Sequence, residues 1–225
     1  MHTKSHEAAQ VVTDTAILHI TIGGVTLEGE LALPSEARGL VIFAQSNSNN
    51  HHGPRNQYIA RRLQSHGMAT LLTDLLTQAE NTNYHSRFDT TLLTERLAVI
   101  TDWAVHAEQT RRLPVGYYGA SIGAVAAIQA SIGSEARVRA IVSRGGLVDL
   151  ADNSIKTLQV PILFIVDQED YGVRRANEEM FLKLSCAKEI AVIPQPTHLF
   201  EGPGTLERVA RLASVWFAEH LGDRP

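Results

Sequence analysis

Residues 115–127 read VGYYGASIGAVAA. The first four are a short apolar run with the character of a buried strand, and from Ile122 to Ile132 small and apolar residues predict a helix. Between them Gly119-Ala120-Ser121-Ile122-Gly123 spells G-x-S-x-G. A strand that turns at once into a helix brings two backbones together, so its flanking residues must be tiny. Gly119, Gly123 and Ala124 meet that demand. The start of a helix also offers unpaired N–H groups and the positive end of its dipole beside the Ser121 hydroxyl. Ser121 is therefore the candidate nucleophile.

Working outward, strand-like runs alternate with amphipathic ones. Ala16–Ile22 and Val25–Leu33 flank Gly23-Gly24 and predict a hairpin; no helix follows those glycines, so they form no phosphate loop. Gly39–Ala44 is a continuous apolar strand of the kind buried on both faces of a parallel sheet. A helix over Arg55–His66 follows and stops at Gly67. Met68–Leu72 is a strand, and the stretch that holds Asn81, Asn83 and His85 is expected to be a polar loop. Asp89 is suited to cap a helix whose apolar stripe is Leu92, Leu93, Leu97, Ile100, Trp103 and Ala104. Further strands are expected at Val115–Tyr118, Ala140–Ser143, Pro161–Val166 and Glu189–Ile193. Helices are expected over Arg174–Leu184 and Thr205–Leu221. The pattern predicts one mostly parallel, doubly wound α/β domain over residues 13–222, with ligands beyond the C-terminal ends of its strands. Residues 1–12 are expected to be a flexible tail.

Bulk properties narrow the function. The chain has 225 residues, 44% of them apolar, enough for one sizeable core. A net charge of −4 without a basic block argues against nucleic acid or an anionic membrane as a partner. One cysteine, Cys186, excludes an intrachain disulfide and fits a reducing compartment; it is expected to be a buried small residue. The N-terminal stretch lacks the apolar segment of a secretory signal, and no run approaches the roughly 20 apolar residues of a membrane span. The expectation is a cytoplasmic protein acting on a small molecule, with oligomeric state open between monomer and homodimer.

A serine attacks only when a base takes its proton and a third group holds that base. Two histidines follow Ser121, namely His198 and His220. His220 lies near the end of the last helix, whereas His198 sits in PQPTHLFEGPG, a loop between the last strand and the last helix. His198 is thus the expected base. The acid should follow PILFIV, where Asp167, Glu169 and Asp170 compete. Asp170 has the room to reach across, and Asp167, directly at the strand end, is the alternative. An oxyanion site needs two preorganised donors. The Ile122 amide is one; Ser46 or Asn47, in the QSNSNNHH loop after the Gly39–Ala44 strand, supplies the other, with Gln45 beside them. Arg144, at the end of a strand on the same edge, could bind a substrate carboxylate or anchor a loop. The adjacent His51 and His52 have no ligand spacing around them and read as a loop tip, so no metal or other cofactor is expected.

With these residues placed, the sequence resembles the dienelactone hydrolase-like branch of the α/β-hydrolases. The likeness extends from about Ile17 to Leu221. It rests on PRNQYIARRL at Pro54–Leu63, the segment around Ser121, VSRGGLVDL at Val142–Leu150, and PTHLFEGPGTLERVARLASVWF, which carries His198. Small bacterial domains of this kind are sometimes fused to a phosphoribosyltransferase. The resemblance implies an α/β-hydrolase fold without a large lid, a Ser121–His198–Asp170 triad, and hydrolysis of an ester, lactone or thioester. Two departures stand out. Such relatives carry a His-Gly-Ser-Gly-Ser-Ser-like segment where this chain has Gln45 to Asn50, and Gly-Gly where it has Asp167-Gln168. The altered loop keeps a second reading open: a catalytically weak binding or regulatory protein, or a lyase or acyltransferase.

Overall fold

A computed structural model describes residues 12–46, 53–134, 137–151, 153–194 and 204–222. Eight strands form one sheet in the order β1-β2-β4-β3-β5-β6-β7-β8. The antiparallel hairpin β1 (Val12–Ile22) and β2 (Val25–Pro34) turns at Gly23 and Gly24, whose φ values of 56° and 88° suit glycine. It joins β4 (Met68–Asp74) antiparallel. From β4 through β3 (Gly39–Gln45), β5 (Val115–Ala120), β6 (Val138–Arg144), β7 (Ile162–Asp167) and β8 (Lys188–Ile193), every pairing is parallel. All seven residues of β3 and all seven of β4 are buried, as strands covered on both faces must be.

The covering helices divide the apolar core in two. On one face α1 (Pro54–Ser65) and α7 (Thr205–Leu221) pack over Val41, Phe43, Tyr118, Val142 and Leu163. On the other, α4 (Thr90–His106), α5 (Ile122–Ser131) and α6 (Tyr171–Lys183) cover Leu40, Ile42, Tyr117, Ile141 and Phe164. Alternate residues of each strand thus serve opposite layers. Pro at the first position opens α1, and Gly67, at φ 76°, turns the chain back after it. The Asp89 carboxylate accepts the Leu92 amide at 3.0 Å and caps α4 as its sequence predicts. No helix of the described residues is long and apolar enough to cross a membrane.

The structure corrects several boundaries. β1 begins at Val12, inside the segment expected to be a tail; residues 1–11 lie outside the described residues. The expected polar loop after β4 contains two short helices, α2 (Gln78–Asn81) and α3 (Tyr84–Phe88). In α2, Thr77 and Glu80 form a reciprocal capping box. Asn83 caps α3 through the His85 amide at 2.9 Å. Arg96 of α4 then locks this segment, donating to both Glu80 carboxylate oxygens at 2.6 and 2.7 Å and to the Leu75 carbonyl at 2.7 Å. These hydrogen bonds hold Glu80 down to a pKa of about 2 against the opposing effect of burial, with Thr77 adding to them. Helix α6 begins at Tyr171 rather than Arg174, because Asp170 caps it. Two short 3₁₀ turns, Val148–Leu150 and Asn153–Thr157, follow β6.

Candidate active site

The C-terminal ends of β3, β5, β6 and β7 form one edge, and each presents a residue singled out in the sequence. At the end of β5, Ser121 has φ 54° and ψ −124°, the one positive φ outside glycine among the described residues. Such a conformation costs on the order of 1–3 kcal/mol for a residue with a side chain. Its neighbours hold it there. The Ser121 amide donates to the Arg144 carbonyl at 3.1 Å, and its own carbonyl accepts from Ala124 at 3.2 Å and Leu147 at 3.3 Å. The side chain is exposed and makes no capping bond to its own helix.

The flanking glycines are required by contact. A Cβ on Gly123 would lie 2.1 Å from the Ala44 carbonyl oxygen, and one on Gly119 would lie 2.6 Å from the Ala124 Cα. Backbone therefore meets backbone at this turn, and the first turn of α5 is pressed against the end of β3. Gln45, the last residue of β3, still pairs with Asp74 of β4 but no longer with β5; it and Ser46, the first residue of the loop, are buried. As the first residue of α5, Ile122 has no intrahelical acceptor for its N–H. The contact of Gly123 with the Ala44 carbonyl places the first turn of α5, and with it the Ile122 amide, beside the end of β3 from which the expected oxyanion loop departs. Asn47, His51 and His52 lie outside the described residues.

Arg144 ends β6 opposite Ala120 and lines, with Gly53, Pro54, Arg55 and Asn56, a depression of about 220 Å³. It also lies near the buried Tyr118 hydroxyl: burial raises that phenol's pKa and the Arg144 charge opposes the rise. The two candidate acids differ. Asp167 is the last residue of β7, is buried, and accepts the Glu169 amide at 2.8 Å, a bond internal to its own turn. Asp170 is half-buried at the start of α6, where one oxygen accepts the Val173 amide at 3.2 Å. Asp170 thus caps α6 as well, a role signalled in the sequence by a carboxylate three residues before the apolar Val173.

His198 lies outside the described residues. His220, the other histidine after Ser121, is engaged on α7: its Nδ1 bonds the Trp216 carbonyl at 2.9 Å and its ring packs 4.0 Å from the Trp216 ring. Cys186 is buried, and burial raises its thiol pKa, which keeps it protonated. No group of three or more metal-ligating side chains occurs among the described residues.

A parallel sheet with helices on both faces, an N-terminal antiparallel hairpin and a serine elbow between β5 and α5 defines an α/β-hydrolase. No family model matches the sequence. The structure superposes on that of a dienelactone hydrolase from Anabaena variabilis with a TM-score of 0.88 and 42% identity, over 92% of this chain and 98% of that one. The chain belongs to the dienelactone hydrolase family. A Mycobacterium tuberculosis protein with the provisional name phosphoribosyl transferase, present in strains CDC 1551 and H37Rv, is 43% identical over 204 residues. That match takes in 91% of this chain but 46% of the mycobacterial protein, so the chain spans about half its length. Est1E from Butyrivibrio proteoclasticus has the same fold, at a TM-score of 0.75 and 14% identity over 90% of this chain and 98% of that one.

Proposed function

We propose that the protein is a serine hydrolase that cleaves a carboxylic ester, lactone or thioester of a small substrate through an acyl-enzyme. The observation that carries this reading is the left-handed backbone of Ser121, held between glycines that admit no side chain. A fold does not retain such strain for stability, and it puts the hydroxyl at the open edge of the sheet. In the proposed reaction the Ser121 hydroxyl oxygen attacks the substrate carbonyl carbon while His198 takes its proton. The Ile122 amide, with Ser46 or Asn47, stabilises the resulting oxyanion. The tetrahedral intermediate collapses, the carbonyl re-forms, and His198 protonates the departing oxygen or sulfur. Water, deprotonated by His198, then attacks the acyl carbon; the second tetrahedral intermediate collapses, the bond to the Ser121 oxygen breaks as His198 returns the proton to it, and the free acid leaves. Asp170 holds the imidazole in the tautomer that accepts from serine and stabilises its cation.

His220 is committed to Trp216, which favours His198 as the base. Asp167 is buried in its own turn, which favours Asp170 as the acid. Gln45 lines the oxyanion side, and Arg144 with its depression of about 220 Å³ is the proposed contact for the rest of a small substrate. The steps call on no metal or other cofactor. We assign the transferase name of the mycobacterial relatives to the part of those proteins that this chain does not match. The buried single cysteine suits a cytoplasmic setting.

Turnover of p-nitrophenyl acetate and of a small lactone, with and without an acceptor alcohol, tests the proposal. Hydrolysis by the native protein and loss of about 10⁴-fold or more in Ser121→Ala is the expected result. Full activity in Ser121→Ala removes serine as the nucleophile. A product ester formed with the acceptor, in preference to free acid, establishes an acyltransferase instead.

A further inference from the structure

At the opposite edge of the sheet, where β5 and β6 begin, the molecule carries a second concave feature. A depression of about 360 Å³ is lined by Arg111, Arg112, Arg137 and Arg139, with Val105, Leu113 and Pro114. Arg111 and Arg112 come from the turn that follows α4, while Arg137 and Arg139 flank the first residue of β6. All four arginines are exposed, and Leu113 and Pro114 are half-buried. Val115 and Val138, the first residues of β5 and β6, pair directly, and this pairing brings the two arginine sets together.

The local charge balance is uneven. Asp102 pairs with Arg137 at 2.7 Å, and its other oxygen lies 3.7 Å from His106 Nδ1. Glu108 is exposed in the same turn as Arg111. Among the described residues, four guanidinium groups thus stand against the carboxylates of Asp102 and Glu108, in a chain whose formal net charge is −4. The pairs Arg111-Arg112 and Arg137–Arg139 place like charges side by side. Packing gives no reason for this, since Leu113, Pro114 and the first residues of β5 and β6 supply the apolar contact there. Such repulsion is relieved when a multivalent anion binds, and the planar fork of arginine fits phosphate oxygens two at a time.

We propose that this depression binds a compact polyphosphate, its phosphate groups held by the four arginines and any attached organic group resting on Val105, Leu113 and Pro114. Its volume falls in the lower part of the roughly 300–1,000 Å³ range of small-molecule sites. The cationic surface is one concave focus and not a stripe, and the chain is acidic as a whole, which disfavours a nucleic-acid strand. The six residues of β5 separate this site from Ser121 by about 20 Å, so it stands apart from the proposed hydrolysis.

Calorimetric titration of the full chain with sodium tripolyphosphate and with ATP, at about 0.15 M salt, tests the proposal. Both are expected to bind with a Kd below about 1 mM and to weaken as salt rises. The double variant R112Q/R139Q should weaken both at least about tenfold, with an unchanged thermal melt. Arg111→Gln should act in the same direction, whereas Arg175→Gln on α6 should have no effect. Tighter binding of ATP than of tripolyphosphate assigns the apolar floor to the organic group; equal binding rests the site on phosphate alone. The proposal is overturned if neither compound binds, or if Arg175→Gln weakens binding as much as the double variant. Preferential binding of polyglutamate or of oligothymidylate overturns it too, in favour of an acidic protein or a nucleic acid.

Discussion

Two strand-to-helix junctions open on the same edge of the sheet and are built in opposite ways. Between β5 and α5 backbone packs on backbone: Gly123 meets the Ala44 carbonyl, Gly119 meets Ala124, and Ser121 is forced to φ 54°. Between β7 and α6 the turn is held by carboxylates that accept amides, Asp167 from Glu169 and Asp170 from Val173. The first junction tolerates no added methyl group. The second would survive most exchanges among Asp, Asn and Ser, because each can accept the same hydrogen bonds. In the proposed enzyme, rigidity belongs to the nucleophile, whose position must be fixed. The acid can instead be supplied by a helix cap.

The largest effect expected from this contrast is chemical. Asp170→Asn retains a cap for α6 but loses the charge that steadies His198, so kcat should fall by about 10³–10⁴ with little change in melting temperature. The same substitution at Asp167 should alter kcat less than about threefold. A reversal of these two results would make Asp167 the acid and the β7–α6 turn the more constrained junction.

Gly123→Ala attacks the other side of the comparison. Its methyl group would sit 2.1 Å from the Ala44 oxygen, so chemical denaturation should show a loss of about 3 kcal/mol or more together with loss of activity. A neutral result would mean that the elbow is slack.

Glu80→Gln probes a constraint of intermediate kind, a side-chain pair that bridges two distant segments. Removing it leaves the Arg96 guanidinium, buried, without its carboxylate, and should cost on the order of 2 kcal/mol. Because Glu80 titrates lower in the folded protein than in the unfolded chain, its contribution is full above pH 4.5. It is lost as pH falls through about 2. Denaturation of native and Glu80→Gln proteins from pH 6 to pH 2 should therefore give curves that converge at the acid end. Smallest is the stability change in Asp167→Asn, below about 1 kcal/mol, since the amide oxygen can still accept from Glu169.

The same contrast explains what the sequence disclosed. The elbow was legible because only tiny residues fit it, and Gly119-Ala120-Ser121-Ile122-Gly123 sits between an apolar strand and a small-residue helix. The fully buried β3 was legible as an unbroken apolar run, the Thr205–Leu221 helix through its hydrophobic period, and the α4 boundary through its Asp89 cap. Short elements were hidden. α2 and α3 are too brief to show a period, and what makes them is capping by Thr77 and Asn83. The tie from Arg96 to Glu80 crosses sixteen positions that no local pattern spans. Likewise the arginines at 111–112 and 137–139 become one surface only through the pairing of β5 with β6. The acid stayed ambiguous for the reason given above: Asp167 and Asp170 differ in burial and partners, not in kind.

The central claim is that the strained serine at the β5–α5 junction is a reactive nucleophile. Labelling with a fluorophosphonate, followed by peptide mass spectrometry, tests it most directly. Covalent phosphonylation of Ser121 in the native protein, absent in Ser121→Ala and strongly slowed in His198→Ala, is the predicted result. A folded native protein that remains unlabelled, or one labelled at a different residue, would contradict it.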